Sequence, residues 1–284
     1  MLDFLSQPAG FDIGETGLMV YDASQPLWRA LLVGLTNTLR VALPAIAVAT
    51  LLALGLALMR RGRHAGLKAL ATTAVELVRN VPLLLQLFIW YFLLIEWLPD
   101  TQEAIHLLPG IWLSKGGLAF PWPDLSSATW RWQVPAMDGF AIAGGAAVTP
   151  EYLALFMALT VYTAAFMSEI IRAGLEAVPH SLAEAAETLG ATPAQVMKQV
   201  VLPQALRTIV PGMSNQYLNL IKNSSLAVAI GYPDLVSIGN TTINQTGKAV
   251  ECIAVMMLLY LGLSLTTSAA MNWFNTHYAT RGQS

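Results

Sequence analysis

Residues 34–59 read GLTNTLRVALPAIAVATLLALGLALM, and a stretch this long and apolar has few ways to fold. Roughly 20 mostly apolar residues in a helix cross the roughly 30 Å of bilayer hydrocarbon. Four further stretches qualify, at about 81–98, 152–178, 208–231 and 251–274. Composition points the same way. Of 284 residues, 55% are hydrophobic and 11% charged, against roughly 25% charged in soluble domains. The spacing therefore predicts an all-α polytopic membrane protein, a single domain over 1–284 with about five transmembrane helices in a lipid bilayer. A net charge of −2 excludes a basic nucleic-acid binder. The single cysteine, Cys252, excludes an internal disulfide and reads as a small buried hydrophobe.

Lys and Arg accumulate in cytoplasmic loops. With the N-terminus outside, the inner segments 59–80, 172–208 and 276–284 carry 9 basic residues in 68 positions, and the outer ones 3 in 103. The expected orientation is N-terminus periplasmic and C-terminus cytoplasmic. The opening MLDFLSQPAGFDIGE has no basic n-region and does not read as a signal peptide. Residues 96–150 form an external insertion holding Trp97, Trp112, Trp122, Trp130 and Trp132 with Pro99, Pro109, Pro121, Pro123 and Pro135. Tryptophan favours the headgroup level, so the insertion reads as a loop on the membrane surface or as a platform for an external partner.

The inner segment 180–203 carries two helix signals. Ser181 with Glu184 has the capping-box spacing, and Gly190 suits the left-handed position after a helix. Thr192-Pro193-Ala194-Gln195 repeats the device, predicting a second helix that ends near Leu202-Pro203. Connections are usually 2–8 residues, so two capped helices here imply a docking surface.

EAAETLGATPAQVMKQVVLP, residues 184–203, resembles the EAA loop of ABC-importer permeases: EAA, three residues, Gly, nine residues, Ile, any residue, Leu-Pro. Only Val200 departs from that pattern. RNVPLLLQLFIWYF, YTAAFMSEIIRAGLEAVP and KNSSLAVAIGYPDLVSIGNTTINQTG are similar to the polar amino-acid subfamily, nearest the Q-type permeases of general L-amino acid transporters. The likeness spans most of 30–275. It implies a type I importer permease of the bacterial inner membrane. A short coupling helix would fit cytoplasmic ATPase subunits, with Glu184, Ala185, Ala186, Gly190, Leu202 and Pro203 as the coupling residues. A second permease chain, different or identical, would complete the pathway, and a periplasmic binding protein would deliver the amino acid.

No cofactor, metal site or catalytic residue is expected. The lone Gly247-Lys248 pair has Thr242 and Ala249 where a phosphate loop needs Gly and Ser/Thr. His64, His106, His180 and His277 are scattered. The motor must be a partner.

Ionisable groups inside a bilayer are costly and face protein or a watery cavity. Counting from Pro179 puts Glu169 near mid-depth, either paired with Arg172 or facing a substrate ammonium group. Pro211-Gly212 would break span four early. Asn215, Asn219, Lys222 and Asn223 then fall on one helical face, beside Gln216. A polar stripe belongs against a partner or a translocation cavity. Glu169 and Lys222 would suit the two charges of a zwitterion, or each other. Glu76 and Arg79 have ion-pair spacing ahead of Pro82, which would kink or restart the helix. Two rivals remain at this stage: an ion-coupled secondary transporter of amino acids, with Glu169 and Lys222 carrying protons, and an intramembrane enzyme.

Overall fold

In a computed structural model the described residues are 3–17, 19–124 and 131–276. Trp130, His277 and Arg281 lie outside them. The chain is mostly helical: α1 (Leu27–Arg61), α2 (Ala65–Asn80), α3 (Leu83–Trp97), α4 (Pro150–Glu176), α5 (His180–Thr188), α6 (Pro193–Gln195), α7 (Leu202–Asn223), α8 (Leu235–Thr246) and α9 (Ala249–Phe274). Each of the five expected spans holds a helix. Among the described residues α1, α4 and α9 are individually long and apolar enough to cross a membrane.

The main seam joins α1 to α4. Ala42, Ala45, Ala49, Ala53 and Ala57 fall three or four residues apart and are all buried. Ala154, Ala158, Ala164 and Ala165 are buried on α4. Small side chains let helix backbones come close, which replaces the hydrophobic drive that lipid does not supply. The leucines between them, such as Leu43, Leu51, Leu54 and Leu58, are exposed, as a lipid-facing side requires. α8 crosses the N-terminal half of α1. A Cβ on Gly34 would sit 2.9 Å from the Leu235 Cα.

The structure changes several expectations. α3 is 15 residues, and α2 precedes it at a bend of 106°. The break falls at Val81-Pro82, because Pro82 disfavours helical backbone in the residue before it. Pro211-Gly212 does not break α7, which runs through both. Span four instead ends at Asn223, tightens into a 3-10 turn over Ser224–Ile230 and stops at Gly231, φ +79°.

The insertion is not helical. Eight short strands occupy it: β1 (Ile105–Leu108), β2 (Ile111–Ser114), β3 (Gly117–Phe120), β4 (Trp122–Asp124), β5 (Arg131–Gln133), β6 (Ala136–Asp138), β7 (Ala141–Ala143) and β8 (Ala146–Val148). They form an antiparallel sheet, β1-β2-β3-β8, and two hairpins, β4-β5 and β6-β7. The all-α expectation thus fails between α3 and α4. Helical periodicity is missing there, and glycines at 110, 117, 139, 144 and 145 take positive φ, which suits the tight turns of hairpins. The Trp112 Nε1–H donates to the Pro135 carbonyl (3.1 Å), tying the sheet to the hairpin segment.

The close α1–α8 approach makes a direct prediction. Gly34→Ala should cost about 1–3 kcal/mol by overpacking, read as a lower melting temperature in detergent. Gly55→Ala, in the same helix with nothing within 4 Å, should leave it unchanged or slightly raised.

Candidate functional site

The loop after α4 is built as two small helical units. α5 begins at His180 with Pro179 before it, so Ser181 lies inside the helix and makes no cap; Glu184 consequently closes no capping box. Its C-terminal stop follows the expectation. Gly190 takes φ +89°, its N–H donates to the Glu187 carbonyl, and the Ala191 N–H donates to Ala186. That pair of bonds closes a helix end on a left-handed residue. The second capping box forms as expected: Thr192 Oγ1 accepts from the Gln195 N–H, and Gln195 Oε1 accepts from the Thr192 N–H (2.8 Å).

This helix does not end at Leu202-Pro203. It passes through a π turn, Val196–Val201, straight into α7. Pro203 has no N–H to give and its ring crowds the preceding turn; the widened turn just upstream shifts the bonding register and lets the helix continue.

α5 has two faces. Ala183 and Ala186 pack against the core around Val178, Val196 and Val201. Leu182, Ala185 and Leu189 point outward, with Leu189 89% exposed, and Glu184, Glu187 and Gly190 are also exposed. An exposed leucine beside small residues on a short helix is a surface shaped to be covered.

α7 carries the second feature. Arg207, Thr208, Pro211, Asn215, Asn219 and Lys222 are all exposed and follow one another at helical spacing. Among the described residues the side chains of Asn215, Asn219 and Lys222 form no hydrogen bond to the rest of the chain, and Asn223 and Gln216 flank them half-buried. Lys222 lines an open groove with Ser225, Val236, Ile253, Met257 and Tyr260. Asn215 lines another with Ser214, Ser268 and Asn272.

Glu169 is elsewhere. Its carboxylate accepts from Arg60 (2.7 Å) and from Arg172, with Arg79 at 3.9 Å. Arg79 thus turns to Glu169 rather than to Glu76, and stacks 5.3 Å from the Phe166 ring. Three guanidiniums from α1, α2 and α4 surround one carboxylate, and Glu169 and Lys222 do not pair. Glu169 is level with Arg60, where the apolar run of α1 ends, so it sits at the Arg60 end of the bundle, and α4 continues past it to Glu176.

A matching clasp closes the opposite end. Glu15 bonds Arg40 and accepts from Thr149 Oγ1 (2.7 Å). Asn37 Nδ2 donates to the Glu15 and Pro233 carbonyls at 2.7 and 3.0 Å. Asp234 is fully buried, caps α8 through the Ser237 N–H (2.8 Å) and faces the Tyr260 hydroxyl (3.4 Å). Sequence reading missed Arg40, Arg60 and Asp234. An arginine at the edge of an apolar run was a visible signal; its partner, far along the chain, was not. No cluster of three or more metal-ligating side chains occurs among the described residues.

Comparison with known proteins gives a consistent result. A family model described as "Binding-protein-dependent transport system inner membrane component" matches residues 45–281. The chain is 37% identical to the general L-amino acid transport system permease protein AapQ of Rhizobium johnstonii, across 97% of this chain and 83% of the relative. It is 38% identical to the putative amino-acid ABC transporter permease protein YhdX of Escherichia coli, across 97% and 84%. Both alignments, over 332 and 333 positions, are longer than this chain, so the relatives carry residues that it lacks. Among solved structures, one titled as an amino acid ABC transporter with histidines superposes with a TM-score of 0.64 at 25% identity, across 88% of this chain and 94% of that one. An inward-facing MetNI methionine ABC transporter superposes with a TM-score of 0.58 at 18% identity, across 89% and 97%, and speaks to the fold alone.

The three-arginine clasp predicts an ordering of stabilities. Glu169→Gln removes the one charge that three guanidiniums share, and lone buried charges are costly. Glu176→Gln affects a carboxylate that is 62% exposed and pairs with Arg172 alone. Glu169→Gln should therefore lower the detergent melting temperature clearly more than Glu176→Gln.

Proposed function

Since the chain belongs to the binding-protein-dependent inner-membrane transport component family, with the type I importer permease fold, we propose that it is the permease subunit of an ATP-driven amino-acid importer. The observation that carries this reading is the loop between α4 and α7: a two-faced α5, stopped at Gly190 and followed by a capped helix that continues into α7. A cytoplasmic ATPase subunit takes the exposed face of α5 into a groove, with Leu182, Ala185 and Leu189 as the apolar contact and Glu184 and Glu187 as flanking charges. Leu202 and Pro203, also exposed, stand where that motion enters α7.

The polar face of α7 is the second part. In a bilayer each unsatisfied polar group facing lipid costs several kcal/mol, so Asn215, Asn219, Lys222 and Asn223 face a second permease chain and the path between the two. Lys222 supplies a cation for the substrate carboxylate, and the asparagine amides supply donors and acceptors. Glu169, already held by three arginines, is a structural clasp. This also weakens the ion-coupled alternative, whose proton carrier would have to leave that clasp. The basic residues at the Arg60 end support a cytoplasmic location for that end, which would leave the N-terminal segment and strands β1 to β8 on the periplasmic side, where a binding protein delivers amino acid.

The loop reading is tested in proteoliposomes holding the assembled transporter. A β-branched residue is poorly tolerated at φ +89°, so Gly190→Val should cut ATP-driven uptake roughly tenfold or more while the subunits still co-purify. Undiminished uptake would sink the docking reading. For the path, a lost hydrogen bond to a charged group is worth about 1.5–3 kcal/mol. Lys222→Met should therefore raise the apparent KM for amino acid by roughly tenfold or more, with the yield of complex unchanged. A fall in yield alone would make Lys222 structural.

A further inference from the structure

At the Arg60 end of the bundle lies a cavity of 440 Å³, separate from the α7 face and bordered by His180 at the start of α5. Its wall brings together Arg60 and Arg61 from α1, Lys68 and Thr72 from α2, Arg172 with Glu176 from α4, and His180 from α5. Glu176 is bound to Arg172, and Arg60 and Arg172 also share the Glu169 carboxylate. Arg60 is 10% exposed, and among the described residues its Nε–H finds no acceptor. Arg61 and Lys68 are exposed at the mouth and enter no ion pair among the described residues. Arg60 already has Glu169, but two unpaired cations at the mouth of a cavity walled by further guanidiniums leave it with an excess of positive charge that an anion would offset.

The surroundings say which anion. α2 buries Ala71 and Val75 and exposes Leu67, Leu70 and Leu77 on its other side, and it meets α3 at 106°. A helix of that kind lies along the membrane surface with its leucines in the upper acyl region, which puts Lys68 and Thr72 at headgroup depth. We propose that this cavity is a phosphate-binding site, built to take the phosphate of an anionic phospholipid, with Arg61 and Lys68 as the donors at its mouth. Free inorganic phosphate shares that chemistry. Basic pockets between spanning helices on the cytoplasmic side hold anionic headgroups in the same way. The side of the membrane rests on the orientation given above; the site itself does not.

The test uses the full-length chain in the complex in which it purifies, with native mass spectrometry after exchange into dioleoylphosphatidylglycerol or dioleoylphosphatidylcholine. Wild type should retain phosphatidylglycerol in preference to phosphatidylcholine. Each basic side chain near the surface contributes on the order of 1 kcal/mol to anionic-lipid binding, so Arg61→Gln with Lys68→Gln should lower that retention roughly 30-fold. Lys198→Gln, a remote charge, should leave it unchanged. Displacement of the lipid by millimolar inorganic phosphate, with a raised melting temperature, assigns the site to a soluble anion; persistence of the lipid assigns it to the headgroup. If wild type holds the two lipids equally and phosphate gives no thermal shift, or if the folded double variant holds phosphatidylglycerol as tightly as wild type, the proposal fails. Should the double variant not fold, the wild-type comparison and the phosphate shift decide. Because the readout is lipid retention and not uptake, a negative result leaves the importer reading standing.

Discussion

The organising constraint is that charge cannot be left in hydrocarbon. From Val41 to Met59 α1 has no charged residue, and the arginines at either end of that run each find a carboxylate: Glu15 for Arg40, Glu169 for Arg60. Twenty residues of helix separate the two arginines, about 30 Å at 1.5 Å per residue, which is one hydrocarbon thickness. Between these two polar layers the helices are held by close alanine packing, and that is why α1 and α4 form the axis around which α2, α3, α7 and α8 are placed. Each clasp also fastens something otherwise loose. The Glu15–Arg40 pair ties the N-terminal segment to the first helix, and Thr149 brings in the start of α4. The Glu169 clasp joins α1, α2 and α4.

How much of this could be read from sequence divides along physical lines. Apolar length located a helix in each of the five expected stretches because the requirement is local and additive, although among the described residues α1, α4 and α9 alone are individually long and apolar enough to cross. Gly190 and the Thr192–Gln195 box were legible for the same reason: a cap is decided within a few residues. Ser181 was misread because a capping spacing does not say where a helix begins, and a start two residues earlier places the serine inside it. Pro203 and Pro211 were read as breaks because proline usually is one; a π turn upstream of Pro203 and continuation through Pro211 depend on what packs around the helix. The hairpins of 105–148 were hidden because strands of three or four residues show no period long enough to recognise.

Charge pairing was the least legible. Glu169 has Arg172 three residues away, and that pair was visible. Arg60, 109 residues away in sequence, and Arg79 come to the same carboxylate only because α1, α2 and α4 converge there. The polar face of α7 was legible as a stripe, and the structure adds that its chain leaves the stripe uncovered. An unpartnered polar helix face beside well-packed alanine seams is the feature on which the proposal of a second permease chain rests.

The π turn ahead of Pro203 has a mechanical consequence. It makes α6, the turn and α7 one unbroken rod from Pro193 to Asn223, about 45 Å long at helical rise. Because the helical backbone is continuous along it, a movement applied beside Thr192 would be carried toward Lys222, and the asparagine face would turn with whatever grips the far end of the shaft.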